Sequence, residues 1–184
     1  MRVHPFSLLL LLAAAGAPQA YSQQFSHDNL APYIPSPQEV VDKMLEVANI
    51  KPGELVYDLG SGDGRIVITA AQRYHARAVG VELRADLCKS TLARIRELGL
   101  ADRVTLIHGD LLKVDLRPAD VVTIYLLTSS NERLRPNLER DLKPGARVVS
   151  NDFRIRGWEP ARVVPINAGG LMHTIYVYER GPRR

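Results

Sequence analysis

One cysteine, one tryptophan and three phenylalanines are all that this chain holds of those residue types, and each scarcity closes a route. Cys88 stands alone, so the chain can form no internal disulfide and assemble no cysteine-based zinc site by itself. It reads as a small buried apolar residue. Charge of one sign is also lacking: 24 Lys and Arg against 20 Asp and Glu leave a formal net charge of +4. These charges are spread along the chain apart from Arg180, Arg183 and Arg184 at the tail, a balance that neither demands nor excludes nucleic acid. No apolar run reaches the roughly 20 residues that span a bilayer. What is present is 184 residues, 46% of them hydrophobic and 24% charged. That is material for one compact domain with a short appendage, and too apolar for a disordered chain.

The N-terminus stands apart from the rest. Arg2 and His4 precede an unbroken apolar run at residues 8–15, and small residues follow, which is the layout of a secretory signal peptide. Cleavage is expected after Ala20 or Ser22. Residues 1–22 are therefore expected to be a signal peptide or an N-terminal anchor, and the protein to be exported to a periplasm or secreted. Membrane anchoring and a cytosolic location are the alternatives. Residues 23–35 hold two prolines among polar residues and read as a linker feeding an ordered strap, the domain occupies residues 36–180, and residues 181–184 form a basic tail.

Within the domain, Ser36 is placed to cap a helix with Pro37 at its first position and Glu39 completing a capping box. Val40, Val41, Met44, Leu45 and Ala48 fall on one face of that helix. Strands are expected at residues 55–59, 78–83, 104–108, 121–126 and 146–150, and helices at 66–74, 85–98 and 131–142. Strands that alternate with helices need crossover connections, so the fold is a doubly wound α/β domain of Rossmann-like type with a mostly parallel seven-strand sheet. The ending breaks the alternation. Residues 163–166 and 174–178 are β-rich and flank Asn167-Ala168-Gly169-Gly170, so an antiparallel hairpin is expected at one edge.

The chemistry concentrates in Val56-Tyr57-Asp58-Leu59-Gly60-Ser61-Gly62-Asp63-Gly64, where the first strand turns into a helix and open α/β sheets bind nucleotide-like ligands. A dinucleotide fingerprint needs a small residue where Arg65 stands, and Asp58 would repel a pyrophosphate while suiting an ammonium group. Glu82, at the end of the second strand, can accept both hydroxyls of a ribose. Asp110, just past the third, can accept from an adenine amine. Three acids at three successive strand ends, with no lysine in the loop, match a nucleoside with a cationic tail. S-adenosyl-L-methionine is such a ligand. The plainer alternatives are that Glu82 and Asp110 cap the elements that follow them, that Asp63 and Arg65 pair on the loop surface, and that His108 packs or caps.

At these residues the chain resembles the class I, seven-strand S-adenosylmethionine-dependent methyltransferases over residues 32–177. Pro32-Tyr33-Ile34-Pro35-Ser36-Pro37, Asp58-Leu59-Gly60-Ser61-Gly62-Asp63-Gly64-Arg65-Ile66-Val67 and Lys143-Pro144-Gly145-Ala146-Arg147-Val148-Val149-Ser150 look like small bacterial relatives of the mitochondrial protein-lysine methyltransferases. More distantly they are similar to histone lysine methyltransferases of the Dot1 type. The resemblance implies that Asp58, Gly60, Gly62 and Gly64 line the methionine end of the cofactor, Glu82 the ribose and Asp110 the adenine edge, with Tyr33 and Ser36 closing the strap. One departure matters: the Dot1 type has an asparagine-containing motif after the fourth strand, where this chain has Tyr125-Leu126-Leu127. A histone substrate therefore does not follow.

Methyl transfer needs alignment of nucleophile, methyl carbon and leaving sulfur, and no metal. Tyr125, Leu126 and Leu127 are expected to form an apolar mouth, with Tyr125 and Asp152 as the catalytic candidates that contact or deprotonate the nucleophile. The plainer reading makes Tyr125 a core residue and Asp152 a loop cap, and Trp158 a plug against the sheet. The expected partner is a protein with an accessible lysine amine, with no nucleic acid. Membrane association would come only through the N-terminus. A non-catalytic nucleoside sensor or scaffold, and a small-molecule methyltransferase, are the competing functions.

Overall fold

The computed structural model describes residues 33–182. The expected signal peptide or anchor, most of the linker including Pro32, and the tail residues Arg183 and Arg184 lie outside that range. In chain order the elements are α1 (Gln38–Val47), β1 (Leu55–Leu59), α2 (Arg65–Tyr74), β2 (Arg77–Glu82), α3 (Ala85–Glu97), β3 (Val104–His108), β4 (Val121–Ile124), α4 (Thr128–Asp141), β5 (Arg147–Asn151), β6 (Arg162–Ala168) and β7 (Leu171–Glu179). A single 3-10 turn, Leu111–Lys113, follows β3.

One seven-stranded sheet runs in the order β3-β2-β1-β4-β5-β7-β6. The first five strands are parallel, and β7 enters antiparallel between β5 and β6. All five parallel strands therefore end at one edge, and β7 begins there. Both faces are covered, which is why β1, β4 and β5 read as nearly continuous apolar runs. Val40, Val41, Met44 and Leu45 of α1 pack with Ile66, Val67 and Ala70 of α2 and Ile95 of α3 on one face, against Val56, Val121, Val149, Ile175 and Val177. Leu134 and Leu138 of α4 cover the other, against Leu59, Ile124, Val148 and Tyr178.

The hairpin expected at the C-terminus is present, but its turn is tighter than the four residues suggested. Asn167 and Ala168 remain in β6, Ala168 pairs with Leu171, and Gly169 and Gly170 alone reverse the chain at φ 59° and 78°. Two left-handed residues match the twist of the flanking strands. Pro165 sits in β6, the edge strand, where its missing donor costs no ladder bond on the outer side.

Two helix starts differ from expectation. The Ser36–Glu39 capping box does not form: Pro37, extended at ψ 147°, is itself the cap residue, and its carbonyl accepts from Val40 and Val41. The α4 helix begins at Thr128 rather than 131, because the chain leaves β4 after Ile124 and the Leu127 carbonyl accepts from Ser130 and Asn131.

Trp158 is a plug, edge-on to Tyr178 with centroids 5.8 Å apart and its indole N–H donating to Glu139. The fully buried Tyr178 hydroxyl accepts from the Ile155 amide at 3.0 Å. Tyr178→Phe strands that amide, so a loss of about 1–3 kcal/mol is expected, read as a lower urea midpoint at unchanged slope.

Candidate active site

The loop between β1 and α2 is held open by its own backbone and by Glu82. Gly60 and Ser61 both donate to the Val81 carbonyl at 2.9 Å, and Thr91 donates to the Gly62 carbonyl. One Glu82 carboxylate oxygen accepts from the Gly62 amide and the other from the Arg84 amide, each at 2.8 Å. Glu82 therefore shapes the loop as well as standing at the strand end expected for it. Gly60, Gly62 and Gly64 all have positive φ. At Gly62 the requirement is double, since a Cβ there would lie 2.6 Å from the Tyr33 ring.

That contact places the strap over the loop. The Arg84 guanidinium lies 5.8 Å from the Tyr33 ring centroid. Arg65 donates to the Ser36 carbonyl at 2.5 Å while forking onto Asp63, with Nε to Oδ1 at 2.9 Å and Nη2 to Oδ2 at 2.6 Å. The surface pair expected of Asp63 and Arg65 is thus also the anchor of the strap, and Ser36 takes part through its carbonyl. Burial pushes the Asp63 carboxyl up, but the hydrogen bonds and charge of Arg65 outweigh it and hold it below the usual range. Burial raises the Tyr33 phenol, with Asp63 adding.

Beneath the loop, Asp58 is 4% exposed and accepts from the Thr123 hydroxyl at 2.8 Å. Its carboxyl is pushed up to about 7, foremost by burial and further by Glu82 and Asp63, against the opposing Thr123 bond. Asp110 accepts from the Leu112 amide at 2.9 Å and so caps the 3-10 turn, with Lys113 3.7 Å away. His108 lies against the β2–α3 loop, its Nε2 3.0 Å from the Leu83 carbonyl. Cys88 is buried as expected, and burial raises its thiol.

The second cluster lies beyond β4 and β5. Tyr125 stacks on Phe153 with centroids 6.0 Å apart. Its phenol is raised by burial, by the charge of Asp152 and by a hydrogen bond with that residue. Asp152, left-handed at φ 57°, accepts from the Thr174 amide at 2.9 Å on one oxygen, and its other oxygen is 2.8 Å from His173 Nδ1. Leu126 is buried, and a Cβ at Gly60 would lie 3.5 Å from it. Both sequence-predicted catalytic candidates are thus brought together. His173, Thr123 and Arg84 were not singled out from the sequence, and Arg65 was given only the pair with Asp63, without its hold on the Ser36 carbonyl.

A buried carboxylate under a loop of left-handed glycines, an aromatic ring above it and acids at the next two strand ends form a cradle that a nucleoside with a cationic tail fits. Among the described residues no group of His, Cys, Asp and Glu could hold a metal ion.

Comparisons with known proteins point to the same class of cofactor. Residues 58–162 match the model of the ANTKMT methyltransferase domain. The chain is 46% identical over 154 residues to a protein-lysine N-methyltransferase of Saccharolobus islandicus, covering 83% of this chain and 96% of that protein. It is 37% identical over 133 residues to the adenine nucleotide translocase lysine N-methyltransferase of Mus musculus, covering 72% of this chain and 58% of that one. Among solved structures, an RNA methyltransferase from Salinibacter ruber in complex with S-adenosyl-L-homocysteine superposes with a TM-score of 0.77 at 45% identity, covering 82% and 96% of the two chains.

Proposed function

Because this chain belongs to the ANTKMT methyltransferase-domain family, and is accordingly an S-adenosylmethionine-dependent methyltransferase, we propose that its methyl acceptor is the side-chain amine of a protein lysine. The observation that carries this reading is the 46% identity over almost the whole of an archaeal protein-lysine N-methyltransferase. The mouth beside the glycine loop suits the task. Tyr125, Phe153 and the buried Leu126 present apolar surface to the aliphatic stem of a lysine, with Asp152 behind the phenol.

Asp58 would face the ammonium of the cofactor, and Gly60, Gly62 and Gly64 leave room for the methionine end. Glu82 would take the ribose and Asp110 the adenine edge, each with carboxylate lone pairs beyond those its loop bonds use. Tyr33 and the Ser36 backbone would exclude water above. When bound, S-adenosylmethionine would supply a methyl on a sulfonium for in-line transfer to the amine lone pair, the C–S electron pair going to sulfur and the surplus amine proton to solvent. The chain's part is alignment, with Tyr125 and Asp152 nearest the acceptor. Residues 8–15 and the small residues after them support an exported or membrane-anchored protein.

Methyl-labelled cofactor incubated with the full chain and cell extracts is expected to label protein, and hydrolysis of that protein to release methylated lysine. Label in nucleosides would favour an RNA acceptor, the class that the name of the Salinibacter protein carries. Label in small molecules, or tight cofactor binding without transfer, would favour the competing functions. Glu82→Ala removes a proposed ribose contact and the support of the Gly62 amide together. Its affinity for S-adenosyl-L-homocysteine should fall at least tenfold by titration calorimetry, a change of about 1.4 kcal/mol.

A further inference from the structure

Two buried polar side chains beside the mouth carry atoms that no hydrogen bond of the fold uses. Asn151, the last residue of β5, is fully buried, and neither its Oδ1 nor its Nδ2 has a hydrogen-bond partner. His173 on β7 is 8% exposed, and its Nε2 is likewise buried without a partner. Unsatisfied buried groups are rare and costly, so two at one strand edge need a reason.

Register brings them to the same face. Asn151 pairs with Ile175, and His173 lies two residues before Ile175 on β7, opposite Ile166 on β6. Val149 and Ile175, of the same parity as Asn151 and His173, belong to the layer under α1 and α2. Asp58 and Thr123 share that face, joined side chain to side chain. The last paired row across the strands is Leu59–Ile124–Ser150–Tyr176, and one residue further stand Gly60, Tyr125, Asn151 and Ile175. Asn151 is thus two strand spacings, about 10 Å, from the glycine loop.

The hydrogen bonding of Asp152 decides what His173 offers. Asp152 Oδ2, an acceptor, lies 2.8 Å from His173 Nδ1, while Oδ1 is fixed by the Thr174 amide. In the neutral ring, Nδ1 then carries the proton towards Asp152 and Nε2 presents its lone pair. Asn151 Oδ1 adds a second free acceptor, and the Asp152 carboxylate behind the ring makes the place electronegative. Two acceptors backed by a negative charge recognise a group with several N–H donors and positive charge.

We propose that Asn151 and His173 form the pocket that receives the nitrogen of the acceptor lysine, Asn151 Oδ1 and His173 Nε2 each accepting one of its N–H bonds. This rests on the lysine reading above. Asp152 is here a positioning residue, holding the His173 tautomer, and Tyr125 flanks the entry.

The test uses the full chain with poly-L-lysine as acceptor and S-adenosyl-L-homocysteine as a separate binding probe. Asn151→Leu and His173→Ala are expected to raise KM for poly-lysine or lower kcat at least tenfold, with affinity for S-adenosyl-L-homocysteine within about twofold of wild type. Asn151→Leu should melt no lower than wild type, since it removes an unpartnered amide at similar volume. His173→Gln, which can return an acceptor oxygen near the Nε2 position, should recover part of the loss that His173→Ala causes. Unchanged kinetics in both variants overturns the pocket, as does a loss of turnover matched by a lower melting temperature and weaker product binding without recovery in His173→Gln. A wild-type enzyme that labels RNA or small molecules but no lysine overturns the lysine reading itself, which separates the two failures.

Discussion

Asp58→Asn is expected to melt higher than the wild-type protein at pH 8 and yet to bind S-adenosylmethionine about a hundredfold more weakly. The carboxyl of Asp58 is pushed up to about 7 by burial, with Glu82 and Asp63 adding to it, whereas in the unfolded chain it titrates near 4. The folded protein holds this proton more tightly than the unfolded chain does. Stability is therefore fully present below about pH 4, falls as pH rises between about 4 and 7, and levels off above. Holding the carboxyl ionised in the folded protein at pH 8 then costs on the order of 4 kcal/mol. Asparagine keeps an acceptor for the Thr123 hydroxyl, now bonded at 2.8 Å, and never ionises, so most of that penalty should vanish. The proposed use of the acid is the reverse case: an ammonium placed beside it favours the ionised form, and losing that charge-assisted contact accounts for about 2.7 kcal/mol, or a hundredfold. Wild-type affinity should also tighten between pH 6 and 8, as the carboxyl gives up its proton without help from the ligand. Calorimetric melting of both proteins across pH 4–8, with titrations of the cofactor at pH 6 and 8, decides it. A variant that melts lower at pH 8, or one that binds as well as wild type, would sink the assignment of Asp58 to the ammonium.

The parallel half of the fold was legible because each strand other than β4 is a short apolar run closed by glycine or a polar residue, and each helix shows one apolar face. Local signals failed where a distant contact competed. Ser36, Pro37 and Glu39 have the composition of a capping box, but Arg65, 29 residues on, takes the Ser36 carbonyl, and Pro37 stays extended. The run through Leu126-Leu127 has the composition of more strand, yet it leaves the sheet to pass under Gly60. The glycine loop, Asp58 and Glu82 were readable because they sit within or next to elements whose order fixes the edge they share. His173 was not. It lies 21 residues from Asp152, in a β-rich run with no chemistry around it, and only the entry of β7 beside β5 brings the two together. Asn151 carried a faint signal, a polar residue directly after a predicted buried strand, but its value depends on lacking a partner, which no sequence shows.

Removing the strap should weaken cofactor binding without disturbing the sheet. A chain beginning at Gln38 keeps the residues of every helix and strand described, but loses the Tyr33 ring over Gly62, the Ser36 carbonyl that Arg65 holds and the Pro37 carbonyl that caps α1. We expect its affinity for S-adenosylmethionine to drop at least tenfold, about 1.4 kcal/mol, with an unchanged circular dichroism spectrum. Tyr33→Ala should lose less, because the Arg65 bond still tethers the segment. Gly62→Ala attacks the same contact from below. Its Cβ would stand 2.6 Å from the ring at a φ of 53°, so the ring must lift, and the left-handed backbone adds roughly 1–2 kcal/mol of strain. Combining Gly62→Ala with Tyr33→Ala removes the collision but not the strain. The double variant should therefore lose less affinity than the two single losses added, with a coupling of at least about 0.5 kcal/mol. Strict additivity would mean that ring and glycine act independently. Unchanged affinity in the truncated chain would reduce residues 32–36 to a tether and take Tyr33 and Ser36 out of the site.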